Sequence, residues 1–116
     1  MLTGDYAQAR ELLEEARRLA AERAYKPGEV FADISLGGLD RREGDLDNAD
    51  ARLRQVLDWH REMGYAPDVG QAMALAELSF VAEQRGDPVA ARHYHAEALA
   101  IARELGDPRG IILTRT

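Results

Sequence analysis

The sequence predicts an all-α protein built from antiparallel helical hairpins. Three observations support this fold class. The strong helix formers alanine, leucine, glutamate and arginine dominate the chain. A Gly-Asp dipeptide recurs at a nearly constant interval, and the apolar residues between its copies are three or four positions apart. Together these patterns indicate a repeat in which each unit is a pair of helices.

The Gly-Asp dipeptide begins at Gly4, Gly44 and Gly86, so its intervals are 40 and 42 residues. A second set of glycines, each near the start of a predicted helix, repeats at intervals of 42 and 40 residues: Gly28, Gly70 and Gly110. Glycine ends a helix in the left-handed conformation without a Cβ penalty, and the aspartate after it can cap the next helix. We therefore predict a tight turn at all three dipeptides, with Pro88 in the first turn of a helix.

Five helices and a C-terminal stub follow from these turns, at residues 5–24, 28–43, 46–64, 68–85, 88–105 and 108–115. Each helix that follows a Gly-Asp pair has an apolar stripe with helical spacing. In the first helix this stripe comprises Tyr6, Ala9, Leu12, Leu13, Ala16, Leu19 and Ala20. The two intervening helices have stripes that include Val30, Phe31, Ile34 and Leu36, and Met73, Leu75, Leu78 and Val81. All 116 residues then form one domain.

Composition disfavours several classes of function. The net charge is −6 and there is no basic block, so the chain is a poor ligand for duplex nucleic acid. No apolar run approaches the roughly 20 residues that a membrane span needs. The first residues show no secretory signal, and the absence of cysteine is compatible with a reducing cytoplasm. We expect a cytoplasmic protein that contacts neither nucleic acid nor membrane directly.

Particular residues resemble the tetratricopeptide repeat family. They are Leu36-Gly37 and Leu78-Ser79 upstream of the turns, the alanines four residues beyond each Asp, and the small or aliphatic residues seven positions further on: Ala9, Ala49, Ala91, Ala16, Val56 and Ala98. The resemblance covers nearly the whole chain and implies a right-handed superhelix. These repeats exceed the family's usual length of about 34 residues. Asp33 and Leu75 replace its usual aromatic residue. Long repeats separated by a sequence like 103–110 resemble arrays in bacterial signal-transduction ATPases and transcriptional activators.

The resemblance also implies a partner-binding groove, lined by the first helix of each hairpin. Its residues here would be Phe31, Ile34, Gly38, Arg41, Arg42, Met73, Ala76, Phe80, Glu83 and Gln84. Family members that clamp a carboxylate use lysine and asparagine in this groove, whereas this chain offers mostly apolar residues. An apolar groove for a helix or an extended peptide is therefore the hypothesis. The alternative is that these residues only pack the array.

No constellation of residues suggests catalysis, a metal or a cofactor. His93 and His95 point about 200° apart on a helix and cannot hold one ion. We expect His95, on the apolar stripe, to be a hydrogen-bonded core residue. Gly37-Gly38 is interpreted as close helix packing, and Trp59 and Tyr65 as packing or partner contacts. We interpret the pairs Arg17-Arg18 and Arg41-Arg42, like the carboxylates, as solvated charge.

The function predicted from these observations is a non-catalytic protein–protein interaction scaffold, a module of a larger bacterial regulator. The faces that carry Leu12, Leu19, Leu99 and Leu105 should be partly bare, because an array needs neighbours or caps to cover its ends. Self-association through these ends, giving a homo-oligomer, is one hypothesis. A sensor domain that binds a small ligand or a signalling peptide in the groove is the alternative.

Overall fold

A computed structural model describes residues 2–64, 66 and 68–106, with side chains from Tyr6 onwards. This part of the chain is all-helical and contains no strand. Its five helices are α1 (Leu2–Glu22), α2 (Lys26–Arg42), α3 (Leu46–Met63), α4 (Val69–Gln84) and α5 (Pro88–Gly106). None of these helices is both long enough and apolar enough to cross a bilayer. The predicted stub at 108–115, with Gly110, lies outside the described residues.

The turns predicted at Gly44-Asp45 and Gly86-Asp87 are confirmed. Both glycines adopt the left-handed conformation, with φ angles of 86° and 80°. Asp45 accepts a hydrogen bond from the Asn48 amide at 3.3 Å, and Asp87 accepts one from the Ala90 amide at 3.1 Å. Each three-residue connection thus ends one helix and caps the next, which joins α2 to α3 and α4 to α5 as hairpins.

The turn predicted at Gly4-Asp5 is wrong, because α1 begins at Leu2 and runs through both residues. Residues 2–5 are all helical, so this Gly-Asp pair lies inside α1 and ends no helix. The connection between α3 and α4 uses different chemistry. Gly64 ends α3 with a φ angle of 67°, and Asp68 begins α4 by accepting from the Gln71 amide at 2.9 Å.

Each helix packs against the next one in the chain, and α2 also packs against α4. The core lies mainly where α2, α3 and α4 meet. Its buried side chains belong to one cluster, which Ala98 of α5 joins: Val30, Ile34, Ala49, Leu53, Val56, Leu57, Ala74, Leu75, Leu78 and Val81. The close packing predicted at Gly37-Gly38 is confirmed, since Gly37 faces Leu53 of α3 and Gly38 faces Glu77 of α4.

An ionic layer joins α1, α2 and α3. Asp40 of α2 is buried and accepts from Arg10 of α1 at 2.7 Å and from Arg52 of α3 at 3.2 Å. About two helical turns earlier on α2, Asp33 lies 2.7 Å from Arg17 and 3.4 Å from Arg52. The interpretation of Arg17 as merely solvated was therefore wrong. Its guanidinium links α1 to α2 through the carboxylate of Asp33.

Candidate binding surface

A cavity of about 490 Å³ opens between α2 and the start of α4, with the end of α3 as its floor. We call it the α2–α4 cavity. Its lining residues are Lys26, Pro27, Val30, Phe31, Ile34, Trp59, His60, Asp68, Val69, Gly70 and Met73. Most of them are apolar, and few polar groups converge on the cavity. Small-molecule and peptide sites commonly have this composition and size.

Aromatic side chains form part of the wall of the α2–α4 cavity. Phe31 is 57% exposed, although its neighbours Val30 and Ala32 in α2 are buried. Trp59 is half-buried against the core, and the Lys26 ammonium lies 5.2 Å from its ring centroid. The Trp59 ring also meets the His60 ring edge-on, with the ring centroids 5.1 Å apart. Trp59 therefore packs against the core and also contributes to the cavity wall. Tyr65 lies outside the described residues.

The polar end of the α2–α4 cavity is a histidine–carboxylate pair. His60 is 4% exposed; its Nδ1 lies 3.2 Å from the Val56 carbonyl oxygen and its Nε2 lies 3.2 Å from both Asp68 carboxylate oxygens. Burial raises the pKa of Asp68, but hydrogen bonds from the Gln71 amide and from His60 outweigh it. The pKa of Asp68 is therefore lowered from its ordinary value of 3.8. Asp68 both caps α4 and holds α4 to α3 at this wall.

A second cavity, of about 430 Å³, lies between α4 and α5, and we call it the α4–α5 cavity. It is lined almost entirely by apolar side chains, with one histidine: Val69, Ala72, Met73, Ala76, His95, Ala98, Leu99, Ala102 and Leu105. Val69 and Met73 line both cavities. The two cavities therefore adjoin each other at Val69 and Met73, the two exposed side chains near the start of α4.

The structure divides the ten residues of the predicted groove into two groups. Phe31, Ile34, Met73 and Ala76 line the two cavities. The others lie towards the C-terminal ends of α2 and α4, outside both cavities: Gly38, Arg41, Arg42, Phe80, Glu83 and Gln84.

Arg41 fills the space between α2 and α4 in this second group. Its Nε lies 2.8 Å from Glu77, a guanidinium nitrogen donates to Gln84 at 3.1 Å, and its guanidinium stacks 4.9 Å from the Phe80 ring centroid. The interpretation of Arg41 as solvated charge was therefore wrong, because α4 supplies a carboxylate across from it. The two helices are cross-linked here, and the open part of the surface lies nearer their N-termini.

The expectation that His95 is a core residue was wrong, because His95 is exposed and lines the α4–α5 cavity. Its repeat equivalent, Leu53, is buried and packs against Gly37 of α2, whereas His95 faces the open α4–α5 cavity. The buried histidine is His60, which sequence reasoning missed. Its place near the end of a helix, eight residues before the capping Asp68, was the available signal.

The exposure predicted for four leucines of α1 and α5 is confirmed. Leu12 is 71% exposed on α1, and Leu19, Leu99 and Leu105 are each 38% or 39% exposed.

Within the part of the chain that the structure describes, no three histidine, aspartate or glutamate side chains gather in a geometry that could hold a metal ion.

We compared the chain with protein-family models, with characterised proteins and with solved structures. None of the three comparisons finds a match.

Proposed function

We propose that this chain is a non-catalytic scaffold that binds an apolar helix or extended peptide of a partner protein. The observation that supports this most directly is the continuity of the two cavities through Val69 and Met73. With Phe31, these residues expose large apolar side chains on neighbouring helices, where charged residues would be the ordinary choice. A groove of this kind suits a partner that presents an apolar face.

The proposal includes a tetratricopeptide-like superhelix within a larger cytoplasmic bacterial regulator of transcription or signalling. The packing of α2 on α4 supports it, because in a stacked array the first helices of successive hairpins contact each other. The 40- and 42-residue intervals of the sequence support it as well. Association of copies through the exposed ends is a separate part of the proposal. A chain that stays monomeric in light scattering at tens of micromolar would contradict that part alone.

The test of the scaffold function is selection of binders from a displayed peptide library on the full chain. We expect enriched peptides with apolar faces, whose affinity falls at least about tenfold on the variant Phe31→Glu, because a charge is then placed in the apolar site. Leu12→Glu is the matched control, since Leu12 is also exposed, at 71% against 57% for Phe31, but lies on α1, away from both cavities. Equal loss of affinity on both variants, or no enriched peptide, would contradict the proposal.

A ligand-sensing role is the second candidate, and the volume and aromatic wall of the α2–α4 cavity favour it. About 490 Å³ lies within the range of small-molecule sites. A small ligand present at about 100 times its dissociation constant stabilises a protein by roughly 2.7 kcal/mol. A thermal-shift screen with wild type and Phe31→Glu separates the two candidates. Stabilisation of the wild type alone by a small molecule favours sensing, whereas none, together with peptide binding, favours the scaffold.

A further inference from the structure

The α4–α5 cavity is the repeat equivalent of a surface that is already occupied within the chain. A shift of 42 residues, the interval between Gly44 and Gly86, superposes α2 and α3 on α4 and α5 in sequence. It maps the nine residues that line the α4–α5 cavity onto Pro27, Val30, Phe31, Ile34, Leu53, Val56, Leu57, His60 and Met63. We call these nine residues the α2–α3 seat.

Helix α4 covers most of the α2–α3 seat and leaves the rest open as the α2–α4 cavity. Six of the nine seat residues are buried in the structure: Val30, Ile34, Leu53, Val56, Leu57 and His60. Five of these, all but His60, belong to the same apolar cluster as Ala74, Leu75 and Leu78 of α4. Polar contacts also hold α4 in place, among them Asp68 with His60 at its start and Glu77 with Arg41 further along.

The α4–α5 cavity has the same apolar character but remains open. Val69 is 62% exposed, and Met73 and Leu99 are 38% and 39% exposed. In the described part of the chain, no helix lies on α5 other than α4. The molecule thus presents a second copy of a helix-binding seat, and the first copy shows what such a seat accepts.

We propose that the α4–α5 cavity is the seat of an amphipathic helix supplied by a partner protein, which names the partner class for the scaffold function proposed above and rests on it. The cavity also specifies the size of the side chains on that helix. The α4–α5 cavity has four alanines where the α2–α3 seat has Val30, Ile34, Val56 and His60: Ala72, Ala76, Ala98 and Ala102. The floor is therefore deeper, and the helix fills it with larger residues, leucine, methionine or phenylalanine, than the alanine and leucine that α4 presents.

The charge beside the cavity specifies the partner further. The repeat equivalent of Arg41 is Glu83, so the sign of the charge is reversed. Arg41 pairs with Glu77 of the helix that fills the first seat. Glu83 is exposed, and among the described residues no ion pair involves it. A helix seated in the same way would place an arginine or lysine opposite Glu83. The partner is thus a basic amphipathic helix with large apolar residues.

Two designed helical probes test this inference. Each has about 18 residues, which is long enough to form a helix on binding, and carries leucines at positions i, i+3, i+4 and i+7. The basic probe carries one arginine two turns beyond the second leucine, and the acidic probe carries glutamate there. Binding of each labelled probe to the full chain is measured by fluorescence anisotropy. We expect the wild type to prefer the basic probe by about two- to fivefold, as for an exposed ion pair, and Glu83→Lys to reverse the preference.

A matched pair of variants locates the binding site. Ala102→Glu places a charge in the cavity and should weaken both probes at least about tenfold. Ala100→Glu makes the same change at an exposed position of the same helix that does not line the cavity, and should have no effect. Circular dichroism of both variants checks that the fold is retained. Equal affinities on Ala102→Glu and Ala100→Glu, or no change of preference in Glu83→Lys, would overturn the inference.

Two other occupants give distinct results, and each would also overturn the inference. If residues 107–116 of this chain fill the cavity, the wild type binds neither probe, and the full-length variant Ile112→Asp binds both. If a second copy fills it, sedimentation shows a dimer that Ala102→Glu dissociates. The scaffold function is scored separately with Phe31→Glu, which leaves the α4–α5 cavity intact. Suppose that Ala102→Glu and Ala100→Glu bind the probes equally, while library-selected peptides still lose affinity on Phe31→Glu. That result contradicts only the inference about the seat.

Discussion

A Cβ atom placed on Gly37 of α2 would lie 2.8 Å from Cδ2 of Leu53 in α3, closer than side chains pack. Leu53 is fully buried and has no room to move. Gly37 therefore permits the two helices of the first hairpin to approach. We predict that Gly37→Ala lowers the free energy of unfolding by roughly 1–2 kcal/mol, because overpacking exceeds the gain in helix propensity. Urea denaturation measures this change.

Gly38→Ala is the control for that prediction. A Cβ atom on Gly38 would lie 3.1 Å from Glu77 Oε2 and 3.3 Å from a guanidinium nitrogen of Arg42, which are the ends of flexible side chains. Those side chains can shift, so alanine's higher helix propensity should leave the stability unchanged or raise it by up to about 1 kcal/mol. If both glycine variants lose the same stability, the close approach at Leu53 is not the cause.

The buried carboxylate of Asp40 leads to a second prediction. Removing it in Asp40→Ala leaves Arg10 and Arg52 without their shared partner between α1, α2 and α3. We expect a loss of about 2–4 kcal/mol, somewhat below the usual cost of breaking a buried pair, because both arginines can partly reach water. Chemical denaturation checks the value. The control is Asp50→Ala, which breaks the exposed pair with Arg54 and should cost less than about 1 kcal/mol.

The all-helical fold could be predicted from the sequence because local chemistry determines it. Gly44-Asp45 and Gly86-Asp87 form turns through the residues' own conformational preferences, whatever packs around them. At Gly4-Asp5 the same preference was not enough, since both residues are part of α1. Helix boundaries also depend on local capping residues. Helix α4 therefore begins within one residue of its predicted start at Asp68.

Much of the candidate surface could not be predicted, because it depends on which residues meet across helices. The burial of Asp40 and the bridging by Arg41 require partners 30 or more residues away in sequence. One signal was available: Arg10 and Arg17 are seven apart on α1, as Asp33 and Asp40 are on α2, which matches an antiparallel pair. The exposure of His95 could not be predicted from the apolar stripe of its helix. Such a stripe identifies the apolar face of a helix but not whether another element covers that face.

The capping role of Asp68 leads to a prediction about pH. Its pKa is lowered in the folded state, so its carboxylate stabilises the fold fully above its ordinary value of 3.8, and this contribution is lost as the pH falls below that value. We expect Asp68→Ala to cost about 1 kcal/mol at pH 7 through the lost cap of α4. Asp68→Asn keeps the cap and loses the charge. Its stability difference from the wild type should therefore shrink as the pH falls below 3.8, as measured by urea denaturation across an acid series. A difference that stays constant over this range would contradict the assigned role.

The contact between Arg41 and Glu77 gives the last prediction, which concerns the coupling of the two hairpins. The two side chains are only 17% and 20% exposed, and their 2.8 Å contact links α2 to α4. A double-mutant cycle with Arg41→Ala and Glu77→Ala should give a coupling energy of about 1 kcal/mol or more, above that of an exposed pair, because partial burial limits screening by solvent. The reference cycle is Arg18→Ala with Glu22→Ala, an exposed pair within α1 that should couple more weakly. If the two cycles give equal energies, Arg41 does not hold the hairpins together. The register of α4 on the α2–α3 seat then depends on apolar packing and on contacts with α3, such as Asp68–His60 and Arg85–Asp47.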